Sequence, residues 1–259
     1  MRVTRAVVPS LFTVLNMFCG FNSIIESSAG HFHSAAWFIF LAAAFDALDG
    51  VMARLTKSSS DFGVQIDSLS DVVSFGTAPA YLVYRLHLHT LGPLGVLVSS
   101  LLMVFAGLRL ARFNVQLVGF DKDHFVGLPT PASGLTIAAF VLQYAREGAL
   151  DSIFLDARAA TALPWICAAL ALLMVSKVKY DTLPKINRRS LKREPWKFIF
   201  LGLAVVVVAL TGGSALLPLF ALFIALGVLR YIGSGIKNIL HHQQRFEEED
   251  EAEPSQAKP

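Results

Sequence analysis

Four aspartates stand where carboxylates are costly. Asp46 lies in an apolar run that starts near Ala35, and Asp49 follows one helical turn later. Asp67 and Asp71 are spaced i, i+4 in the next segment. Each pair therefore shares one face of a helix, and the two faces can meet across a short turn. A carboxylate at membrane depth costs at least about 2.5 kcal/mol unless it faces a cavity, a metal or a cation. Four converging anions repel one another, so the arrangement makes sense mainly with divalent cations among them. No histidine or cysteine accompanies the acids, and oxygen-only ligation favours Mg²⁺, Mn²⁺ or Ca²⁺ over zinc. Two such ions, roughly 3.5 to 4 Å apart, can clamp the attacking and leaving oxygens of a displacement at phosphorus.

The neighbours of the acids suit a phosphate ligand. Gly50 and Gly63 remove side chains where a large ligand would approach the backbone. Arg54, one turn beyond Gly50, can offer a planar fork to phosphate. One buried aspartate could be a packing residue bonded to a hydroxyl, or half of an ion pair. Four at helical spacings, with two glycines and an arginine, fit those readings poorly. A proton or cation transporter is the serious competitor, because intramembrane acids also mark ion pathways. A transporter should show internal repeats or matching broken helices, and the sequence shows neither.

The elements that must position these residues are membrane helices. Hydrophobic residues make up 54% of the 259 positions and charged residues 16%, and the apolar residues are gathered into long blocks. Several blocks approach the roughly 20 residues needed to span the bilayer core. About eight spans are expected, near 8–28, 34–55, 67–87, 91–117, 131–147, 159–177, 197–212 and 215–236. The fold class is thus all-α, a polytopic integral membrane helical bundle. Arg2 and Arg5 before the first block imitate a secretory signal, but the next span follows at once. With the N-terminus inside, only Arg85, Arg146 and Arg158 of the 22 lysines and arginines fall outside. The positive-inside bias thus puts both termini and the acids on the cytoplasmic side of the cell (inner) membrane.

From Asp46 to Asp71 the chain reads DALDGVMARLTKSSSDFGVQIDSLSD. This matches D-x2-D-G-x2-A-R-x8-G-x3-D-x3-D at every fixed position, and so resembles the CDP-alcohol phosphatidyltransferase family. The resemblance implies a helical membrane fold, usually a homodimer, with a metal-dependent site open to the cytoplasm. It implies that Asp46, Asp49, Asp67 and Asp71 bind two divalent ions, Mg²⁺ or Mn²⁺, and that Asp71 is also the general base. Gly50, Ala53, Arg54 and Gly63 match positions that accommodate or contact the cytidine diphosphate. A side chain larger than Ala53 would crowd that cavity. Two further stretches, RLARFN at 109–114 and GLPTPAS at 127–133, are similar to members that move the phosphatidyl group of CDP-diacylglycerol onto L-serine. Arg109, Arg112 and Asn114 would suit a serine carboxylate or a lipid phosphate, although plain positive-inside anchoring also accounts for the arginines. Pro129 and Pro131 should end a loop and open a helix. A sibling enzyme using glycerol 3-phosphate, inositol phosphate or choline is the nearest alternative.

The rest of the chain divides simply. Residues 1–180 are expected to form the catalytic membrane domain and 181–196 a basic cytoplasmic linker. An accessory hairpin over 197–237 and an acidic disordered tail over 238–259 should follow. Thr13, Asn16 and Asn22 make the first helix a third polar centre, without an assigned role. Cys19 and Cys167 lack pairing or metal-ligand spacing. His31, His33, His87 and His89 fall in outer loops, and no basic stripe with interleaved aromatics suggests nucleic acid.

Overall fold

The computed structural model describes residues 3–56, 61–117, 125–147, 153–180, 211 and 213–252. Helix α1 (Val3–Ala29) ends at Gly30, whose φ of 87° supplies the left-handed turn that redirects the chain. The chain then enters α2 (Phe32–Thr56), which packs against α1. Helices α3 (Asp61–Asp71) and α4 (Ala78–Leu86) are joined by a π-helical segment, Val72–Thr77. α5 (Pro93–Leu117) follows, then α6 (Thr130–Tyr144), α7 (Ala157–Val175) and α8 (Leu216–Ala252).

On the first helix the packing is inside-out relative to a soluble protein. On α1 the inward stripe is polar or small, with Thr13, Asn16, Cys19, Ser23 and Ser27 buried. The outward positions are Leu11, Val14, Phe18, Phe21 and Ile25. Small and hydrogen-bonding residues at helix contacts, with large apolar ones facing lipid, are what a bilayer solvent selects. Among the described residues, four helices are long and apolar enough to cross a membrane, at Phe32–Ala53, Pro93–Val115, Ala157–Val175 and Leu216–Ser234. Helix α3, at 11 residues, is too short to span alone, because the chain passes into the π segment at Val72. The expected span at 197–212 and the linker at 181–196 lie outside the described residues, apart from the turn residue Thr211.

The π segment is closely packed by its neighbours. Pro79 has no N–H to give to the Phe75 carbonyl four residues back, and the widened turn lies just ahead of it. Three helices close on this segment through glycines. A Cβ on Gly20 of α1 would fall 2.7 Å from the Cα of Ser74, and one on Gly134 of α6 would fall 3.0 Å from that of Phe75. Gly76 faces Met103 and Ala106 of α5.

Two expectations change in detail. The bundle is helical, but the chain leaves it for two short antiparallel ladders, β1 (Phe125–Val126) with β4 (Lys179–Tyr180) and β2 (Ala145–Glu147) with β3 (Ile153–Leu155). Helix α6 thus stops at Tyr144, three residues before the expected end at 147, because the chain from Ala145 takes strand partners. At the other end, α8 continues to Ala252 where a disordered tail was expected from 238. The run from 238 to 252 contains neither glycine nor proline, and the first breaker is Pro254.

Candidate active site

Asp46 of α2 and Asp67 and Asp71 of α3 each place a carboxylate oxygen within 4.8 Å of the other two. Helix α1 sets this meeting. The Thr13 hydroxyl donates to Asp49 Oδ2 on α2, while the Thr13 carbonyl accepts from Ser70 Oγ on α3 at 3.1 Å. One residue therefore ties both acid-bearing helices. One turn on, the Asn16 carbonyl accepts from Ser74 Oγ at 2.9 Å and fixes the π segment just after Asp71.

The three-acid cluster is electrostatically unfavourable as it stands. Two charges at that separation repel by roughly 3 kcal/mol at an effective dielectric near 20. Among the described residues none of the four aspartates makes an ion pair. Arg109 of α5 is the basic group whose charge acts on Asp71. It is buried, and donates to Thr130 Oγ1 of α6 at 2.9 Å. Among the described residues, Asp49 Oδ1 and Asp71 Oδ1 are buried without hydrogen-bond partners. Oxygen-only donors carrying excess negative charge and orphaned lone pairs are what a hard divalent cation satisfies.

The remaining expected residues separate by position. Asp49 sits on the Asp46 side of α2, but Thr13 engages it and it does not belong to the three-acid cluster. Gly50 and Ala53 continue the face of Asp46 and Asp49, half-buried, and Gly63 continues that of Asp67 and Asp71. The Arg54 side chain lies outside the described residues. Arg109 joins the site, whereas Arg112 is exposed and is not among the groups acting on Asp71. Asn114 is occupied in tying α5 to α3, donating to Ser68 Oγ at 3.0 Å and Gln65 Oε1 at 3.3 Å. These bonds hold Asn114 at the α3–α5 contact, one turn from Asp71 along α3. Thr130 enters through the GLPTPAS stretch, where Gly127, with φ of 89°, lets the chain dock on the end of α7. Among the described residues no histidine joins the cluster, and His31 is paired to Glu26 at 2.9 Å in the α1–α2 turn.

The model of the CDP-alcohol phosphatidyltransferase family matches residues 6–175. The chain belongs to this family. Among its relatives, a CDP-diacylglycerol–serine O-phosphatidyltransferase of Helicobacter pylori (strain J99) is 34% identical over 237 residues, covering 90% of this chain and 94% of that protein. The Bacillus subtilis protein of the same name is 31% identical, covering 73% of this chain and 98% of its own length. An archaetidylserine synthase of Methanothermobacter thermautotrophicus is 38% identical, covering 67% and 69% respectively. In this family member the motif carries all the acids that meet in the cluster.

Proposed function

We propose that this membrane protein transfers the phosphatidyl group of CDP-diacylglycerol to the hydroxyl of L-serine, giving phosphatidylserine and CMP. The observation that carries this is the meeting of Asp46, Asp67 and Asp71 on the family motif. Serine is common to the names of the three relatives, while the lipid in those names varies. That pattern supports serine over glycerol 3-phosphate, inositol phosphate or choline.

Asp46, Asp49, Asp67 and Asp71 would hold two divalent ions, Mg²⁺ or Mn²⁺. Bound there, the ions neutralise the diphosphate and stabilise the charge that develops on the reacting oxygens. Gly50, Ala53, Arg54 and Gly63 accommodate the cytidine diphosphate along the shared faces of α2 and α3. Asp71 takes the proton from the serine hydroxyl, and the oxygen attacks the phosphorus that bears the lipid. The bond to the CMP oxygen breaks, and CMP leaves. A carboxylate is a weak base for an alcohol, so its assistance is worth only about 10²- to 10⁴-fold. Electrostatic stabilisation must supply the larger share. Arg109 supplies positive charge at the acceptor side.

The same reading has the enzyme as a homodimer with eight spans, both termini and the site on the cytoplasmic face of the cell (inner) membrane, and 1–180 as the catalytic unit. The distribution of lysine and arginine supports the orientation. CMP release from CDP-diacylglycerol, measured with each candidate alcohol, tests the assignment. Release should depend on L-serine, and no release above that of water would end it.

A further inference from the structure

Asn16 is fully buried in α1, and among the described residues neither its amide nitrogen nor its amide oxygen has a hydrogen-bond partner of normal geometry. A primary amide donates twice and accepts twice, and buried amides are rarely left with nothing. Its backbone carbonyl is held by Ser74, and its amide acts on the Asp71 carboxylate as a donor placed too loosely for a normal hydrogen bond. Asp71 Oδ1 and Arg109 Nε are also buried and unpartnered. An acceptor oxygen on the amide, a carboxylate oxygen and a guanidinium N–H thus gather around Asp71. A divalent cation answers the oxygens but offers nothing to the N–H of Arg109 or of Asn16.

We infer that Asn16 is a specificity-determining residue for the acceptor, its amide oxygen accepting from the ammonium of an amino-alcohol while Arg109 takes the carboxylate of the same molecule. This rests on the proposed function and adds to it a residue that recognises the acceptor. With the ammonium on Asn16 and the carboxylate on Arg109, the hydroxyl of a β-hydroxy-α-amino acid is presented to Asp71. The amide N–H is then free to donate to the Asp71 carboxylate and hold it in line. Acceptors that lack the ammonium, such as polyol phosphates, leave the amide oxygen unsatisfied, and a buried group without its partner is what gives strong discrimination.

The test compares three acceptors on the full-length protein in nanodiscs with CDP-diacylglycerol and Mn²⁺. They are L-serine, 3-hydroxypropionate, which lacks the ammonium, and ethanolamine, which lacks the carboxylate. Asn16→Leu should raise the serine KM at least tenfold and lower the preference for serine over 3-hydroxypropionate by a similar factor. The CDP-diacylglycerol KM should stay within about twofold. Arg109→Lys should instead erode the preference for serine over ethanolamine. Asn16→Asp, nearly isosteric, keeps an acceptor oxygen and adds charge, so its preference for serine over 3-hydroxypropionate should rise; it serves if the leucine variant fails to fold. Unchanged acceptor preference in the Asn16 variants overturns the inference while serine transfer stands. Absence of serine-dependent CMP release in the unaltered enzyme overturns both.

Discussion

Gly20→Ala should cripple turnover from a position that touches no substrate. The added methyl would sit 2.4 Å from Ser74 Oγ and 2.7 Å from its Cα. Ordinary carbon contacts lie near 3.5 to 4.0 Å, so α1 and the π segment must part by about 1 Å. Overpacking of this kind costs about 1 to 3 kcal/mol, and the gain from replacing a helical glycine returns only about 1 kcal/mol or less. The net loss of stability is therefore modest. The catalytic consequence is larger, because Ser74 lies three residues beyond Asp71 and its hydroxyl anchors this turn to Asn16. A misplacement of about 1 Å at a reacting centre costs about 10²-fold. Steady-state CMP release in nanodiscs, read beside the thermal midpoint, should show kcat down by that order with the midpoint lowered by a few degrees. Gly107→Ala is the control, since a Cβ there meets nothing within 4 Å, and it should be neutral or slightly stabilising. Gly20→Ala turnover within twofold of the unaltered protein would refute the claim that this contact positions Asp71.

Thr13→Val should leave the buried Asp49 carboxylate without its hydroxyl donor. A hydrogen bond to a charged group contributes about 1.5 to 3 kcal/mol, so the Mn²⁺ concentration for half activity should rise roughly tenfold or more, with Thr13→Ser near normal. An unchanged requirement would detach Asp49 from the metal site. Gly127→Ala meets the Met174 carbonyl oxygen at 2.1 Å and a φ of 89° at once, so it should destabilise by about 2 to 4 kcal/mol. Thermal unfolding in detergent reads this, and a midpoint at the unaltered value would contradict the docking of this turn on α7. Chelation by EDTA should abolish CMP release, with Mn²⁺ or Mg²⁺ restoring it and Zn²⁺ failing to do so; restoration by zinc would contradict the all-oxygen site.

The helical spacing of the acids made the catalytic pairing legible, because i, i+3 and i, i+4 fix a shared face whatever the surroundings. Spacing could not divide the four aspartates, since Asp49 is set apart by Thr13 on a helix 36 residues away in sequence. Thr13 and Asn16 were visible as polar residues in an apolar helix, yet only the packing of α1 against α2 and the π segment brings the Thr13 hydroxyl to Asp49 and the Asn16 carbonyl to Ser74. Arg109 and Arg112 read alike in sequence. The helix contacts bury one beside Asp71 and leave the other exposed. Asn114 was legible as a hydrogen-bonding residue but not as a tie to Ser68. The π segment escaped because Pro79 signals only a backbone defect, and whether the chain kinks or widens is decided by the glycines around it. The helical course of 238–252 was missed by weighing charge above the absence of any breaker.

Manganese binding followed by electron paramagnetic resonance tests the central claim most directly. Titrated into the purified protein with CDP, Mn²⁺ should occupy saturable sites, lost or weakened at least tenfold in Asp46→Asn, Asp67→Asn and Asp71→Asn proteins that still fold. Equal binding by the unaltered and substituted proteins would show that these carboxylates do not hold the ions, and the account of the site would fall.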